Sequence, residues 1–359
     1  MSTDCLKLTS YFGERQRANG KFLAEALFDL YGQHQIATSV MLRGIEGFGL
    51  RHHLRTDTSL SMSEDPPAAV IAVDTRHKID EVLDRQTALT KRGLITLERA
   101  RLLQEDDHEL SLGDRQYEAT KLTIYVGRKQ EAYGVPAYQA IVDLLYRREL
   151  AGASVFLGVD GTVRGKRERA RFFGRNPDVP MMIIAVDSGG QVARVLAELG
   201  GLMRRPLITV ERLQVCKRDG QLFFRPHALP GVDEHGMALW QKIMVYTSEA
   251  QCHDGVPIHR ALIRRLRQSK HARGATALRG IWGFHDNHPP HGDRPFQLVR
   301  HVPVTTIIVD TPDSIAQSFD IIDQLTQEHG LVTSEMVPAL LAVDDDDRRG
   351  GTNLARHDY

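Results

Sequence analysis

The chain repeats itself three times, and nothing else in it constrains the fold as strongly. Lys7-Leu-Thr-Ser-Tyr11 returns as Lys121-Leu-Thr-Ile-Tyr125 and again as Lys242-Ile-Met-Val-Tyr246. A glycine sits thirteen residues after each lysine (Gly20, Gly134, Gly255), and another follows an apolar run (Gly44, Gly158, Gly280). Three apolar segments ending in Val-Asp come next: AAVIAVD to Asp74, MMIIAVD to Asp187 and VTTIIVD to Asp310. Each unit closes on one pattern, Leu94-Ile-Thr-Leu-Glu98, Leu207-Ile-Thr-Val-Glu211 or Leu331-Val-Thr-Ser-Glu335. A fixed order at nearly constant spacing is the mark of tandem copies of one unit. Each copy spans roughly 100 residues, the size of a domain. The pattern predicts domains at 1–103, 119–217 and 240–343, polar linkers at 104–118 and 218–239, and a disordered acidic tail at 344–359.

Within a copy the periodicity reads strand, helix, strand, strand, helix, strand. Leu122, Ile124 and Val126 alternate with Lys121, Thr123 and Tyr125, which is strand spacing. Leu23, Ala26, Leu27 and Leu30 recur at helical spacing after the first shared glycine. Pro136 and Pro257 stand where a first helical turn tolerates proline. Second helices are expected at about 76–91, 189–203 and 313–328. This βαββαβ order predicts an α+β, ferredoxin-like unit, with helices on one face of an antiparallel sheet. The third strand is apolar at both parities, which asks for burial on both faces. Three sheets turned inward around a pseudo-threefold axis satisfy that demand, whereas three separate beads would expose apolar faces.

Composition removes several function classes. Lys+Arg and Asp+Glu are both 46, so no chain-wide field favours nucleic acid or an anionic membrane. No apolar run approaches transmembrane length, and the first residues lack the pattern of a secretory signal. Cys5, Cys216 and Cys252 are too few and too far apart for a disulfide framework or a Cys-x-x-Cys motif, so reduced thiols in a cytoplasmic protein are expected. RNA-binding sheets present aromatic residues on their central strands, and AAVIAVD and MMIIAVD are aliphatic there. No Ser-His-Asp order, phosphate-binding loop signature or repeated pair of carboxylates points to an enzyme.

Leu42-Arg43-Gly44-Ile45-Glu46-Gly47-Phe48-Gly49, followed by Leu60-Ser-Met-Ser-Glu64-Asp65-Pro66 and AVIAVD, resembles the PII-like proteins catalogued as domain of unknown function 190. The resemblance covers all of copy one. Copy three keeps Leu278-Arg279-Gly280-Ile281-Trp282-Gly283-Phe284 and ends in His285. Copy two departs further, with Leu157 in place of the arginine and Thr162-Val163 in place of Phe-Gly. PII proteins, similar in fold, are homotrimers that bind adenine nucleotides in clefts between subunits, beside a flexible loop that engages a partner. The resemblance therefore implies a covalent pseudo-trimer acting as a monomer. It implies a non-catalytic regulator that binds a small anionic metabolite, an adenine nucleotide being the candidate, and acts on a membrane transporter or channel.

The candidate ligand-binding residues are Arg43, Gly44, Gly47, Phe48 and Gly49, with Gly158 and Gly161 in copy two and Arg279, Gly280, Gly283 and Phe284 in copy three. Glycines let backbone N–H groups approach a phosphate, and arginine adds bidentate contacts. The same residues read equally well as a glycine-rich strand exit with a solvated arginine. If Arg43 and Arg279 hold ligand charge, copies one and three bind and copy two differs. The long connection in copy two, VRGKRERARFFGR, makes Arg164, Lys166, Arg167, Arg169 and Arg171 candidates for a partner loop, or else a solvated loop. His285, His288 and His291 in copy three have no fixed helical spacing, so no metal is assigned to them. Lys7, Lys121 and Lys242 read as lining a cleft or as sheet rim, and Glu98, Glu211 and Glu335 as pairing with a neighbour's cation. A small phosphohydrolase and a purely structural assembly module are the competing functional classes.

Overall fold

A computed structural model describes residues 3–57, 65–103, 119–163, 166–169, 179–203, 207–226, 229–285, 289–292 and 301–356. The long strands of copy one are Thr3–Gly13, Thr38–Phe48, Pro67–Thr75 and Arg92–Leu103. Those of copy two are Ala119–Gly127, Gly152–Leu157, Pro180–Asp187 and Leu207–Arg218. Copy three has Trp240–Ser248, Ala275–Arg279, Pro303–Asp310 and Leu331–Val337. Among the described residues six helices accompany them: α1 (Leu23–Gln33), α2 (Arg76–Leu89), α3 (Ala137–Arg147), α4 (Gly189–Leu202), α5 (Ile258–Ser269) and α6 (Pro312–Leu325). In every copy the first strand pairs antiparallel with the third and the fourth, and the third pairs with the second, giving the spatial order second, third, first, fourth.

The repeated residues explain the recurring local structure. Asn19-Gly20, Tyr133-Gly134 and Asp254-Gly255 all have positive φ, with the glycines at 81°, 80° and 74°. Two successive positive φ values make a tight hairpin turn, and glycine takes the second without steric cost. Each hairpin delivers the chain to the following helix, and Pro136 and Pro257 are the residues just before α3 and α5 rather than within their first turns. Asp74, Asp187 and Asp310 each accept a hydrogen bond from the backbone N–H just before the second strand (Ala37, Ala151, Arg273; 2.7, 2.8 and 2.8 Å). The Val-Asp repeat thus ties the end of the third strand to the start of the second.

Strands also run between copies. The end of copy one's second strand pairs with copy three (Thr276↔Gly47). Copy three's Trp282–His285 pairs with copy two's second strand, and copy two's Asp160–Val163 pairs with copy one's. The fourth strands pass the other way, copy one to two (Leu102↔Thr209), two to three (Val215↔Thr333), and three back to one through Ala339–Asp344 (Leu341↔Ile95). Among the described residues the result is one continuous antiparallel sheet of twenty strands.

The inner sheet faces meet in one apolar cluster drawn from all three copies. It includes Val40, Leu42 and Ile71, then Phe156, Met182 and Ile184, then Met244, Leu278 and Ile307. The third strands are buried on both faces, as their double apolar parity requires. Outside this cluster each copy packs its own two helices on its sheet, and each of these cores borrows from another copy: Leu341 in copy one, Phe284 in copy two, Ile45 and Phe48 in copy three.

The tail differs from the expectation of disorder. Asp344 ends one strand and Asp347–Gly351 forms another that pairs back on it, with Ala355 buried beyond. Leu340, Leu341, Ala342 and Val343 supply the apolar register that fixes the first strand of this hairpin, and the acidic run marks its turn. The 104–118 linker and residues 60–64 of the copy-one motif lie outside the described residues.

Candidate functional site

The conserved spacing of the repeated lysines and glutamates resolves into a ring. Lys7, Lys121 and Lys242 lie opposite Glu98, Glu211 and Glu335 on their own fourth strands, at 3.0, 2.7 and 2.9 Å. Each ammonium also donates to another copy's carboxylate: Lys7 to Glu211, Lys121 to Glu335, Lys242 to Glu98. Six alternating charges thus close a cycle through all three copies, with side chains at most 8% exposed. The glutamates pair with a neighbour's cation, as the sequence suggests, while the lysines are interior rather than rim residues. Burial alone would push the Glu211 carboxyl up; Lys121 and Lys7 outweigh it and hold it down at about 2. The three carboxylates converge closely enough to suggest a metal, but three ammonium groups already neutralise them. A cavity of about 40 Å³ adjoins the ring, room for about one water molecule.

The glycine motif sits where one copy's second strand crosses the next copy. A Cβ on Gly47 would lie 2.6 Å from the Ala275 carbonyl, and one on Gly283 2.3 Å from the Ala153 carbonyl. Gly44, Gly158, Gly161 and Gly280 are hemmed in by the same means, each also meeting Pro67, Pro180 or Pro303. These prolines stand seven residues before each Val-Asp aspartate, a repeat that the sequence carries and that locates the crossing. Arg43 ion-pairs with Glu14, and Arg279 with Glu249 at 2.7 Å. Copy two has Leu157 and Arg128 at the corresponding positions, so both members of the pair change together.

Beside the crossing of copies one and three lies a cleft of about 210 Å³. Phe12, Phe48, Leu50, Trp240, Ile307 and Leu340 give it an apolar floor, and Gly49 lies on its wall. Arg51, Arg55, Arg92 and Arg273 line it with cationic groups. Of the sequence-derived candidates, Phe48 and Gly49 face this cleft, whereas Arg43, Gly44 and Gly47 are not among its lining residues. His52 stacks on Phe48, with ring centroids 5.4 Å apart; burial, then Lys270 and Arg267, push its pKa down. The four lining arginines come from three segments, Arg51 and Arg55 from one loop and Arg92 and Arg273 from two others, so no single motif announces the set.

The corresponding cleft between copies three and two is larger, about 700 Å³, and is lined by Gly283, Phe284, His285, His291, His301 and His329 with Cys252. His285 Nε2 lies 2.8 Å from Asp219 Oδ1, and the two nitrogens of His291 contact the carbonyls of Pro289 and His301. Between copies two and one, Arg167 pairs with Asp160 (2.7 Å) and with Asp29 of α1 (3.0 Å) and lies over the Phe28 ring. The root of the basic loop is therefore docked on copy one, while Lys166 is exposed. Arg169 falls in the strand 166–169, and Arg164, Arg171 and His288 lie outside the described residues.

The family model DUF190, described as an uncharacterized ACR, matches residues 5–102, 119–215 and 240–339. These spans coincide with the three copies built up above, and the chain belongs to the DUF190 family as three tandem copies of its domain.

Proposed function

We propose that the chain is a cytoplasmic, non-catalytic regulator of the PII-like kind. Its three ferredoxin-like copies act as a covalent pseudo-trimer that binds a small anionic metabolite between copies and relays its presence to a membrane transporter or channel. The observation that carries this reading is the cleft between copies one and three, where an apolar floor is rimmed by arginines from both copies. Such a site favours a ligand with a flat apolar body and a negative group, and an adenine nucleotide has both. Ligand seated there touches two copies at once, so its binding free energy acts on their relative placement. Support for the pseudo-trimer comes from the cyclic strand exchange and the cluster shared by all three copies.

A thermal-shift panel of AMP, ADP, ATP and cyclic AMP tests the ligand class. A ligand present at 100 times its Kd stabilises by about 2.7 kcal/mol, enough for a clear shift. At least one nucleotide raises Tm if the reading holds; no shift with any of them contradicts it. Turnover of generic phosphoesters would instead favour a phosphohydrolase.

A further inference from the structure

We propose that the cleft between copies one and three carries its own anionic occupant, the Asp344-Asp345 turn, and that ligand enters by displacing these carboxylates from Arg51 and Arg92. This rests on the reading of that cleft as the ligand site. Arg51 Nε donates to Asp344 Oδ2 at 2.9 Å and its Nη2 to Asp345 Oδ2 at 3.2 Å. Arg92 donates to the same Asp345 oxygen from Nε at 3.0 Å and from Nη2 at 2.5 Å. Two guanidinium groups of copy one thus converge on one acidic turn that belongs to copy three. A phosphate would be held by the same fork geometry.

The turn is placed by the fold. The Ala339–Asp344 strand of copy three crosses copy one and is followed by Asp345, whose N–H donates to the Lys91 carbonyl at 2.8 Å and whose φ is 57°. The same arrangement recurs one junction away. Copy two's fourth strand crosses copy three and is followed by Asp219, with φ of 45°, its N–H on the Gly330 carbonyl at 2.9 Å and its carboxylate on His285. At both junctions a left-handed aspartate from one copy sits on a cationic or imidazole donor of the next, and Asp344 and His285 line the adjoining clefts. At the first, Arg51 and Arg92 are about half exposed, so their pairs with the turn are worth little each and exchange readily.

The displacing ligand is a planar ring carrying a phosphate or carboxylate. The ring takes the floor of Phe12, Phe48 and Trp240, and the anion takes the place of the aspartates. Neither part suffices: a bare anion gains no apolar burial, and a bare ring leaves the aspartates in place.

Calorimetric titration at low salt with ATP, adenosine and inorganic pyrophosphate as probes tests this. D344N/D345N removes the competing carboxylates, and D346N/D347N removes the same charge from the rest of the turn. The first is expected to bind ATP about 3- to 10-fold more tightly than the unmodified chain, the second less than twofold. Adenosine and pyrophosphate bind at least tenfold more weakly than ATP. Equal tightening in both variants would show a long-range charge effect and overturn the displacement. So would unchanged ATP affinity in D344N/D345N, while leaving the cleft as the ligand site. Absence of ATP binding in all three proteins overturns the site reading and the displacement with it. Hydrogen exchange on the unmodified chain needs no variant to fold: ATP should speed exchange in residues 344–347 at least threefold while slowing residues 48–51. Unchanged or slower exchange in the turn contradicts the proposal.

Discussion

Six side chains hold the centre of this molecule, and their energetics are those of paired buried charge. Each ammonium contacts two carboxylates, so deleting one leaves two buried partners short of a cation. Removing one member of a buried ion pair costs about 3–5 kcal/mol, and Lys121→Met is expected to lower stability by that amount in urea unfolding. The ring also sets an acid limit. Glu211 is held down at about 2, from an ordinary 4.5, by ammoniums that outweigh its burial. A carboxyl whose folded pKa is depressed contributes its full stability above the unfolded value and loses it as pH falls toward the folded one. The stability curve is therefore expected to drop between about pH 4.5 and pH 2, and Glu211→Gln should flatten that drop while lowering stability at pH 7. An equally steep drop in the variant would remove Glu211 from the explanation. Sequence alone shows the period of these six residues but not their burial, because lysine and glutamate normally mark a solvated face.

At the scale of elements, the strand crossings decide which residues each copy can carry. Gly283→Ala forces a methyl group against the Ala153 backbone, and overpacking of this kind costs about 1–3 kcal/mol. Chemical denaturation checks it; a cost below about 0.5 kcal/mol would mean that the crossing is loose. The three junctions also differ chemically. A basic hairpin, through Arg167, meets acidic α1. Buried Glu46 faces Arg260, Arg264 and Arg267 of basic α5. Phe284 meets the Tyr146 ring of α3 edge-on, with Trp282 and Tyr138 packed on the same core. A single cyclic order of the copies satisfies all three pairings, a form of specificity by mismatch. Arg167→Glu is expected to cost about 1–3 kcal/mol, whereas exposed Lys166→Glu stays within about 0.5 kcal/mol. The three tandem copies, the helix positions and the doubly buried third strands were legible because repetition, periodicity and apolar parity report them directly. The glycines of the crossings were visible as a repeat but also fitted a phosphate nest, and the prolines that meet them went unread. The tail hairpin was hidden because four successive aspartates dominate its composition, while its apolar strand lies just before them.

Over the whole molecule, the fusion of three copies allows what three identical chains cannot: unequal clefts. One is rimmed by arginine, one by histidine, and at the third junction Arg167 is docked on α1. Arg43 and Arg279, the arginines that the sequence offers as ligand contacts, form ion pairs beside the crossings, while the cleft draws Arg51, Arg55, Arg92 and Arg273 from three segments and two copies. No linear motif can encode such a set, since the chain folding back on itself brings it together. Calorimetry with ATP on the intact chain, R51A/R92A and R43A is the most direct test of the ligand cleft. The account predicts one site per chain, weakened at least tenfold in R51A/R92A and unchanged within twofold in R43A. Three equivalent sites, or binding lost in R43A and kept in R51A/R92A, would contradict it.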